Sequence, residues 1–353
     1  MIRFALVGCD RIAKRHSELL GFNKIEGACL AAVCDIESDK ADKVGGRFSV
    51  PSFSDMHDMM RDTDVDVVVV LTESGNHARD VVALAPYGAH IVVEKPMALT
   101  LSDADEMIAA CDKSGVRLFV VKQNRFNVPV VKLREALDAG RFGKLILGTI
   151  RVRWCRDQSY YDQAPWRGTW AMDGGVLTNQ ASHHVDMLEW MFGDVESVFA
   201  RSTTALADIE AEDTAVVTLK FRNGALGVIE ATTAVRPKDL EGSISVLGEK
   251  GAVEIGGFAV NEMKIWNFVE PEDGDHEVLA KYSVNPPNVY GFGHQAYYEH
   301  VVDCITNNAR HLVDGLQGRK SLELINAIYE SIETGREVQL RFQPKHCKLG
   351  VRV

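Results

Sequence analysis

The sequence predicts an α/β protein in two parts: an N-terminal doubly wound parallel sheet and a C-terminal α+β part with a large, mostly antiparallel open sheet. Its 353 residues are too many for one ordinary hydrophobic core, which favours two domains. Residues 2–122 alternate short apolar runs with amphipathic stretches, whereas the chain beyond residue 145 contains mainly strand-like runs. We therefore predict domains at 1–125 and 126–353.

The N-terminal elements are predicted from continuous apolar runs rich in β-branched residues, separated by amphipathic stretches. Such runs are typical of strands that are buried on both faces of a parallel sheet. The strands are predicted at Ile2–Val7, Leu30–Cys34, Val65–Leu71, His90–Val93 and Val116–Val121, and the helices near 11–20, 38–48, 77–87 and 102–114.

The C-terminal elements begin with a helix predicted at Val130–Ala139, after which the pattern becomes strand-rich. Asn223-Gly224 and Glu249-Lys250-Gly251 have the composition of hairpin turns, which indicates antiparallel pairing. The strands are predicted at Leu145–Cys155, Val198–Thr204, Thr214–Phe221, Ala225–Ala234, Ser243–Leu247, Ala252–Ile255, Met263–Phe268 and Glu337–Phe342, and the later helices near 293–306 and 319–333.

Composition and charge exclude several classes of function. Hydrophobic residues make up 46% of the chain and charged residues 25%, which is ordinary for a globular protein. The net charge of −11 argues against nucleic acid or an anionic membrane as a general partner. No apolar run is long enough to span a bilayer, and Met1 leads directly into a strand, so we expect a cytoplasmic protein. The seven cysteines include no CxxC pair and predict neither a disulfide framework nor a zinc site.

The end of the first predicted strand carries part of a dinucleotide-binding turn. The glycines of the Rossmann pattern GxGxxG fall where this chain has Gly8, Asp10 and Ala13. Alanine at the third position still permits close packing of helix and strand. Asp10, however, puts a side chain where the backbone approaches a pyrophosphate, so an ordinary turn between strand and helix is the alternative.

Two further strand ends favour a dinucleotide site. Asp35 follows the second strand at the spacing where a carboxylate binds the adenosine ribose, and it would repel a 2′-phosphate, which favours NAD over NADP. A capping aspartate is the alternative for this residue. The segment Thr72-Glu73-Ser74-Gly75-Asn76-His77 follows the next long strand. Ligands of open parallel sheets lie beyond the carboxyl ends of the strands, so these segments are expected to meet.

The tripeptide Glu94-Lys95-Pro96 follows another apolar run, at the same expected edge of the sheet. A lysine at the mouth of a buried strand is desolvated, which lowers its pKa and lets it exchange protons near neutrality. Beside a nicotinamide, such a group favours oxidation of an alcohol. The alternative is a strand-end lysine that points into water.

A basic and aromatic segment spans Arg151–Trp170. Guanidinium groups bind diphosphate and carboxylate oxygens, and aromatic faces stack on bases or sugars. The period of two between Arg151 and Arg153 is equally typical of the solvent face of a strand. The segment contains Arg151, Arg153, Arg156 and Arg167 with Trp154, Tyr160, Tyr161, Trp166 and Trp170.

A second segment, 174–186, contains Asn179, His183 and Asp186, which would share one face if it were helical. A histidine near neutrality suits a general base or a hydrogen-bonding partner for a hydroxyl. The adjacent His184 is better explained as a structural histidine. The pattern HHxxD differs from the zinc motif HExxH, so we expect no metal.

Together these residues resemble the glucose–fructose oxidoreductase/inositol dehydrogenase/MocA family over nearly the whole chain. The resemblance rests on Ile12-Ala13 with His16 in the following helix, on Glu94-Lys95-Pro96, and on Gly174-Gly175 followed by His183 and Asp186. It implies that Lys95 and His183 flank the reacting carbinol. Many members have an aspartate four residues before the histidine, where this chain has Asn179, which cannot accept a proton. Lys95 or His183 therefore remains as the base.

The resemblance also implies three sets of site residues, for catalysis, cofactor binding and substrate binding. The catalytic set is Lys95, His183 and Asn179. The cofactor set is Gly8, Asp10, Arg11, Ile12, Asp35, Thr72, Ser74, His77, Glu94, Lys95, Gln123, Trp166 and Arg167. The substrate set is Lys95, Arg156, Tyr160, Tyr161, Gln163, Asn179 and His183.

Within the family, the segment 178–184 and the loop with Tyr160-Tyr161 are similar to nucleotide-sugar uronate 3-dehydrogenases. This similarity implies oxidation of the 3-hydroxyl of UDP-N-acetylglucosaminuronic acid, on a route to diacetamido-mannuronate of bacterial surface polysaccharide such as lipopolysaccharide. It also implies a homo-oligomer, a tetramer, that holds NAD tightly, with 2-oxoglutarate as an oxidant that regenerates it. The alternatives are a dehydrogenase of a free sugar or inositol, a catalytically silent NAD-binding regulator, and an NAD-dependent glycoside hydrolase.

Overall fold

The computed structural model describes residues 1–283 and 292–340, which form two sheets with their covering helices. The first sheet contains β1 (Ile2–Val7), β2 (Ala28–Cys34), β3 (Ser52–Phe53), β4 (Val67–Val70), β5 (His90–Val93) and β6 (Leu118–Val120). The helices between these strands are α1 (Ala13–Gly21), α2 (Ser38–Phe48), α3 (Met56–Asp62), α4 (His77–Leu84) and α5 (Leu101–Ser114).

The first sheet is parallel throughout, in the order β3-β2-β1-β4-β5-β6. From β1 the chain first adds β2 and β3 on one side and then β4, β5 and β6 on the other, so the strand order reverses next to β1. Ligands bind at this switch point in such sheets. The predicted Rossmann fold is confirmed. Strand β3 and helix α3 were not predicted, because a two-residue strand and a seven-residue helix are too short to show a period.

The second part follows α6 (Val128–Asp138) and is rich in strands. The further helices among the described residues are α7 (Gln158–Tyr161), α8 (Ser182–Phe192), α9 (Val278–Lys281), α10 (Gly293–Thr306) and α11 (Gly315–Thr334). The strands are β7 (Leu145–Arg153), β8 (Val195–Thr203), β9 (Thr214–Phe221), β10 (Leu226–Thr232), β11 (Glu241–Gly248), β12 (Gly251–Gly256), β13 (Glu262–Phe268) and β14 (Val338–Gln339).

The second sheet has the order β13-β12-β11-β7-β10-β9-β8-β14 and is antiparallel except where β10 runs parallel to β7. The predicted mostly antiparallel open sheet is thereby confirmed. The predicted last strand Glu337–Phe342 is shorter in the structure, and its residues 341 and 342 lie outside the described residues. Among the described residues, no helix is both long and apolar enough to cross a membrane.

The two faces of the second sheet differ in their packing. Strand β7 alternates buried Ile150 and Val152, which face the covering helices, with Arg151 and Arg153 on the opposite face. Arg153 bonds Glu230 at 2.7 and 2.8 Å, and Arg151 lies 3.0 Å from Glu241. These two arginines therefore belong to a salt-bridge ladder on the outer face and lie away from the ligand edge of the first sheet.

One helix from the C-terminal region completes the core of the first sheet. Tyr297, Tyr298 and Val301 of α10 pack in the same cluster as Phe4 and Leu6 of β1. The domain bounds 1–125 and 126–353 stay a prediction, and α10, which belongs to the second of these ranges, packs on the first sheet. Apolar periodicity predicted this helix without predicting which sheet it covers.

A buried charge network joins the first sheet to α8. Asp186 accepts hydrogen bonds at 2.8 Å from both the Nε and the Nη2 of Arg125, and its Oδ1 lies 3.3 Å from the Nζ of Lys122. Arg125, Lys122 and Asp186 are 3%, 5% and 1% exposed. Burial alone would raise the pKa of Asp186, but the charges of Arg125 and Lys122 hold it well below its ordinary value. The network fixes α8 against the segment that follows β6.

Asp186→Ala should lower the free energy of unfolding by about 3–5 kcal/mol, because it leaves two buried cations without their shared counter-charge. Urea denaturation at pH 7 measures the loss. The matched control is Glu135→Ala, which removes an exposed partner 3.4 Å from Lys132 and should cost less than about 1 kcal/mol. Because the pKa of Asp186 is lowered on folding, its contribution is full above roughly pH 4 and declines as the pH falls. Equal losses in the two variants would contradict the prediction.

Candidate active site

A cavity of about 480 Å³ lies beyond the carboxyl ends of β1, β2, β4 and β5. The first sheet contributes one wall, and the loop after β7 together with the segment before α8 contributes the other. Of the predicted site residues, the cavity is lined by Gly8, Asp10, Arg11, Ile12, Asp35, Thr72, Ser74, His77, Glu94, Lys95, Gln123, Arg156, Tyr160, Trp166, Arg167, Asn179 and His183.

The turn after β1 fits the close approach of a dinucleotide. Gly8 has φ +99°, and a Cβ at this position would lie 2.7 Å from the carbonyl carbon of Leu71. Only glycine is compatible with both constraints. Asp10, which replaces the second glycine of the pattern, and Arg11 are both exposed at the cavity, so the substitution does not close the turn.

Asp35 is held at the cavity by backbone amides. Its Oδ2 accepts from the amide of Cys9 at 2.7 Å, and its Oδ1 accepts from the amide of Glu37 at 2.9 Å. This rigid carboxylate lies at the end of β2, where the fold places the adenosine ribose. Lys40, which sequence reasoning missed, lines the same end, but its ammonium pairs with Glu37 at 2.7 Å.

The residues after β4 brace the two neighbouring strand ends. Thr72 donates from its hydroxyl to Asp80 at 2.7 Å. The Nε2 of His77 lies 2.9 Å from the carbonyl oxygen of Thr72, and its Nδ1 lies 2.8 Å from that of Pro96. His77 therefore ties the turn after β4 to the Glu94-Lys95-Pro96 turn after β5.

Glu94 is buried behind the lysine that follows it. Its Oε1 lies 3.0 Å from the Nε2 of His16, and the Nδ1 of His16 lies 2.6 Å from the hydroxyl of Tyr298. His16, Glu94 and His294 form the one group of three potential metal ligands found among residues 1–283 and 292–340. Because hydrogen bonds already engage both nitrogens of His16, this cluster is better explained as a brace between the sheet and α10.

Lys95 points across the cavity to the second part of the chain. Its Nζ donates to the carbonyl oxygen of Asn179 at 2.9 Å and to the Oδ1 of the same residue at 3.2 Å. Burial lowers the pKa of Lys95; the carboxylates of Glu94 and Asp173 oppose this effect, and the charges of Lys122 and Arg167 reinforce it. A lysine in this setting is able to lose its proton more readily than an exposed one.

His183 begins the first turn of α8 and is 8% exposed. Burial and the nearby charges of Lys95 and Lys122 bring the pKa of His183 well below its ordinary value, so the ring is neutral. Its Nε2 lies 2.9 Å from the Nε2 of Gln123. Its Nδ1 is buried and has no hydrogen-bond partner within the described part of the chain, and the residue itself lines the cavity.

Three guanidinium groups surround the ring of Tyr160. The guanidinium carbons of Arg167, Arg156 and Arg11 lie 4.6, 5.4 and 6.0 Å from the ring centroid. Arg156 also pairs with Asp239 at 2.9 Å. Arg167 has no carboxylate within 4.0 Å among the described residues. The cavity of this acidic protein therefore has a locally basic wall, suited to an anionic ligand.

The structure places two candidate substrate residues outside the cavity. Tyr161 is buried, with its hydroxyl 3.0 Å from that of Thr233, and Gln163 is exposed and does not line the cavity. Asn179 lies in a turn before α8, so the shared helical face considered for Asn179, His183 and Asp186 does not include it. Trp154 and Gln180 also line the cavity and were absent from the predicted site sets, although Trp154 belongs to the basic and aromatic segment Arg151–Trp170.

Sequence profiles of two oxidoreductase domains match this chain. Residues 2–122 match the oxidoreductase family's NAD-binding Rossmann fold, and residues 134–340 match its C-terminal alpha/beta domain. The chain belongs to the GFO/IDH/MocA oxidoreductase family. A myo-inositol 2-dehydrogenase from Thermotoga maritima is 31% identical over 348 residues, which cover 96% of this chain and 98% of that protein.

Two solved structures resemble this family member over almost its full length. A WlbA dehydrogenase from Bordetella pertussis, in complex with NADH and UDP-GlcNAcA, is 42% identical with a TM-score of 0.89, over 97% of this chain and 99% of that one. A WlbA dehydrogenase from Chromobacterium violaceum, with the same two ligands, is 44% identical with a TM-score of 0.91, over 97% of each chain.

This member of the GFO/IDH/MocA family is an NAD-dependent oxidoreductase that acts on a CH–OH group. Gly8 and Asp35 fit NAD, because the turn after β1 and the carboxylate at the end of β2 both line the cavity at the edge where such sheets bind a dinucleotide. The family match thereby favours an enzyme over the alternative, a catalytically silent NAD-binding regulator.

NAD should bind the apo-protein more tightly than NADP, because the Asp35 carboxylate repels a 2′-phosphate. Asp35→Asn should lower the ratio of the NADP to the NAD dissociation constant by about tenfold or more, which corresponds to roughly 1.4 kcal/mol of binding free energy. Fluorescence titration of cofactor-free protein with each cofactor gives the ratio. Asp39→Asn, an exposed charge change in α2, is the control and should leave it unchanged. NADP affinity that equals or exceeds NAD affinity in the unmodified protein would contradict this prediction.

Proposed function

We propose that the protein oxidises the 3-hydroxyl of UDP-N-acetylglucosaminuronic acid to the 3-keto sugar nucleotide, in the synthesis of a bacterial surface polysaccharide containing diacetamido-mannuronate. The observation that carries the proposal is the group of three arginines around Tyr160, on the wall of the cavity that also contains Lys95. A ligand with a diphosphate and a carboxylate accounts for that charge. The WlbA dehydrogenases, solved with NADH and UDP-GlcNAcA, support this substrate.

The competing substrate is an uncharged sugar or inositol, as the myo-inositol 2-dehydrogenase of Thermotoga maritima suggests. Such a substrate leaves the guanidinium of Arg167 facing the cavity with no anion to bind. The chain is also 42% and 44% identical in sequence to the two WlbA dehydrogenases, compared with 31% to the myo-inositol 2-dehydrogenase. We therefore favour the nucleotide sugar.

In the proposed reaction, Lys95 is the base that accepts the hydroxyl proton. Its lowered pKa makes the lysine release its proton more readily, whereas Asn179 offers no group that takes up a proton. In the observed orientation of Gln123, the side-chain NH₂ faces the Nε2 of His183, so the neutral ring carries its proton on Nδ1. His183 lines the same cavity, and we propose that its ring orients the substrate hydroxyl. NAD, when bound, accepts the hydride of the carbinol carbon.

The strand ends of the first sheet and the loop that carries Arg156 and Arg167 face the same cavity. Trp166, Gln123 and Arg167 line it as well, and we propose that they contact the nicotinamide end of the cofactor. Tyr160, Arg156 and Asn179 complete the substrate set, while Tyr161 supports their loop from beneath.

We further propose a homotetramer that regenerates NAD with 2-oxoglutarate, in the cytoplasm. The outer face of the second sheet supports oligomerisation, since Val216, Leu226 and Leu247 are 51%, 55% and 39% exposed there. Apolar side chains on an open sheet face are typical of a surface that a second copy covers.

Lys95→Ala should lower turnover of UDP-N-acetylglucosaminuronic acid by about 10²–10⁴-fold, the usual effect of losing a general base, without weakening NAD binding. His183→Ala should cost as much or less, and the double variant should lose less than the product of the two. Lys113→Ala, an exposed lysine in α5, is the control. The measurements are NADH formation and the mass of the product, which should lack two hydrogen atoms. Normal turnover by Lys95→Ala would refute the mechanism, and release of UDP would indicate glycoside hydrolysis.

Arg167→Ala should weaken binding of the nucleotide sugar by about 2 kcal/mol or more, which is roughly a thirtyfold rise in dissociation constant. The loss should be smaller for an uncharged sugar. Arg222→Ala, an exposed arginine after β9, controls for net charge. Isothermal titration with the sugar nucleotide and with NAD separates the two ligands. Unchanged affinity for both would remove Arg167 from the site.

A further inference from the structure

A carboxylate beneath the cavity wall lies one side chain away from Lys95. Asp173 is 1% exposed and does not line the cavity. Its Oδ1 accepts from the side-chain amide nitrogen of Asn179 at 2.6 Å. Its Oδ2 accepts from the backbone amide of Gly168 at 2.9 Å. Asn179 in turn offers its Oδ1 to the Nζ of Lys95 at 3.2 Å, which makes a continuous chain of hydrogen bonds from carboxylate to lysine.

The chemistry of the groups decides which way the Asn179 amide faces. A carboxylate only accepts hydrogen bonds, whereas an amide side chain has one accepting and one donating end. With Asp173 on one side, the NH₂ end of Asn179 must face the carboxylate, so the oxygen end faces Lys95. In the opposite orientation, an oxygen would face a carboxylate and an NH₂ group would face an ammonium.

We propose that Asp173 is a positioning residue for Lys95, which acts by fixing the orientation of the Asn179 side chain. The same carboxylate also accepts a hydrogen bond from the backbone at Gly168, next to Arg167 of the locally basic cavity wall. Asp173 thereby links the position of the lysine to the position of that wall. The inference rests on the proposed role of Lys95 as the base.

The charges around the lysine give the proposal a measurable consequence. Lys95 faces the carboxylates of Glu94 and Asp173, which raise its pKa, and the cations Lys122 and Arg167, which lower it. Burial raises the pKa of Asp173, and its hydrogen bonds together with the charges of Lys95 and Arg167 oppose that effect. Removing the Asp173 charge therefore lowers the pKa of Lys95, and moving that charge onto residue 179 raises it.

The test is a swap of the two side chains. In Asp173→Asn, residue 173 cannot accept from both Gly168 and Asn179, so one donor faces another. In Asn179→Asp, two carboxyl groups meet across the 2.6 Å contact and must share a proton. In the double variant Asp173→Asn/Asn179→Asp, the new asparagine accepts from Gly168 and donates to the new aspartate. That aspartate still accepts from Lys95, so each group again has a partner.

We expect each single variant to lower kcat by about tenfold or more, and the double variant to recover most of the loss. The acid limb of the kcat–pH profile should move to lower pH in Asp173→Asn and to higher pH in the double variant. Asp162→Asn, an exposed carboxylate in the same loop, is the control and should change neither. A double variant no better than the worse single variant, or an unshifted profile in Asp173→Asn, would overturn the proposal.

A second readout needs neither substrate nor cofactor. The rate at which acetic anhydride modifies Lys95, followed by peptide mass spectrometry across a pH series, reports the midpoint of its titration. The midpoint should fall in Asp173→Asn and rise in the double variant. If the sugar nucleotide is not a substrate of the unmodified enzyme, the proposed function fails, and these midpoints still decide the role of Asp173. If Asp173→Asn does not fold, the double variant alone tests the role of Asp173. The titration midpoint of Lys95 in that variant must then exceed the midpoint in the unmodified protein.

Discussion

The buried pairing of Asp186 with Arg125 and Lys122 is the constraint on which the active site depends. It fixes α8 against the segment that follows β6, and α8 carries His183 one turn before Asp186. Lys95 ends a strand of the first sheet, so the two groups that flank the proposed reaction belong to different parts of the chain. Only a rigid contact between those parts holds both groups at one cavity. A buried ion pair costs desolvation energy, and here it specifies the relative position of two elements.

The same desolvation that makes this contact costly also gives the site its chemistry. Burial disfavours the charged forms of Lys95 and His183 alike, so the ring is neutral and the lysine releases its proton more readily. The cations Lys122 and Arg167 act in the same direction on Lys95, while Glu94 and Asp173 limit the effect. The protein carries a net charge of −11, yet its cavity gathers positive groups. Net charge therefore describes the surface as a whole, and the cavity wall determines which ligand fits.

The arginines of one segment illustrate how neighbouring residues of one type come to serve different purposes. Arg151 and Arg153 lie on β7, where the alternation of side chains turns them to the outer face and pairs them with glutamates. Arg156 and Arg167 follow the strand in a loop that bends over the cavity. From the sequence alone, the first pair was compatible with either a ligand-binding role or the solvent face of a strand. The alternation of β7 puts Arg151 and Arg153 on the outer face, because Ile150 and Val152 occupy its inward positions.

The sequence by itself determined the type and order of the long elements, because buried parallel strands and alternating antiparallel strands have distinct apolar patterns. It also placed Gly8, Asp35 and Lys95 at strand ends, and such ends converge in any doubly wound sheet. Tertiary structure alone decided that α10 covers the first sheet, that Tyr161 faces away from the cavity, and that Asp173 reaches Lys95 through Asn179. These contacts join residues that no periodicity relates, since they depend on how loops and separate elements pack in three dimensions.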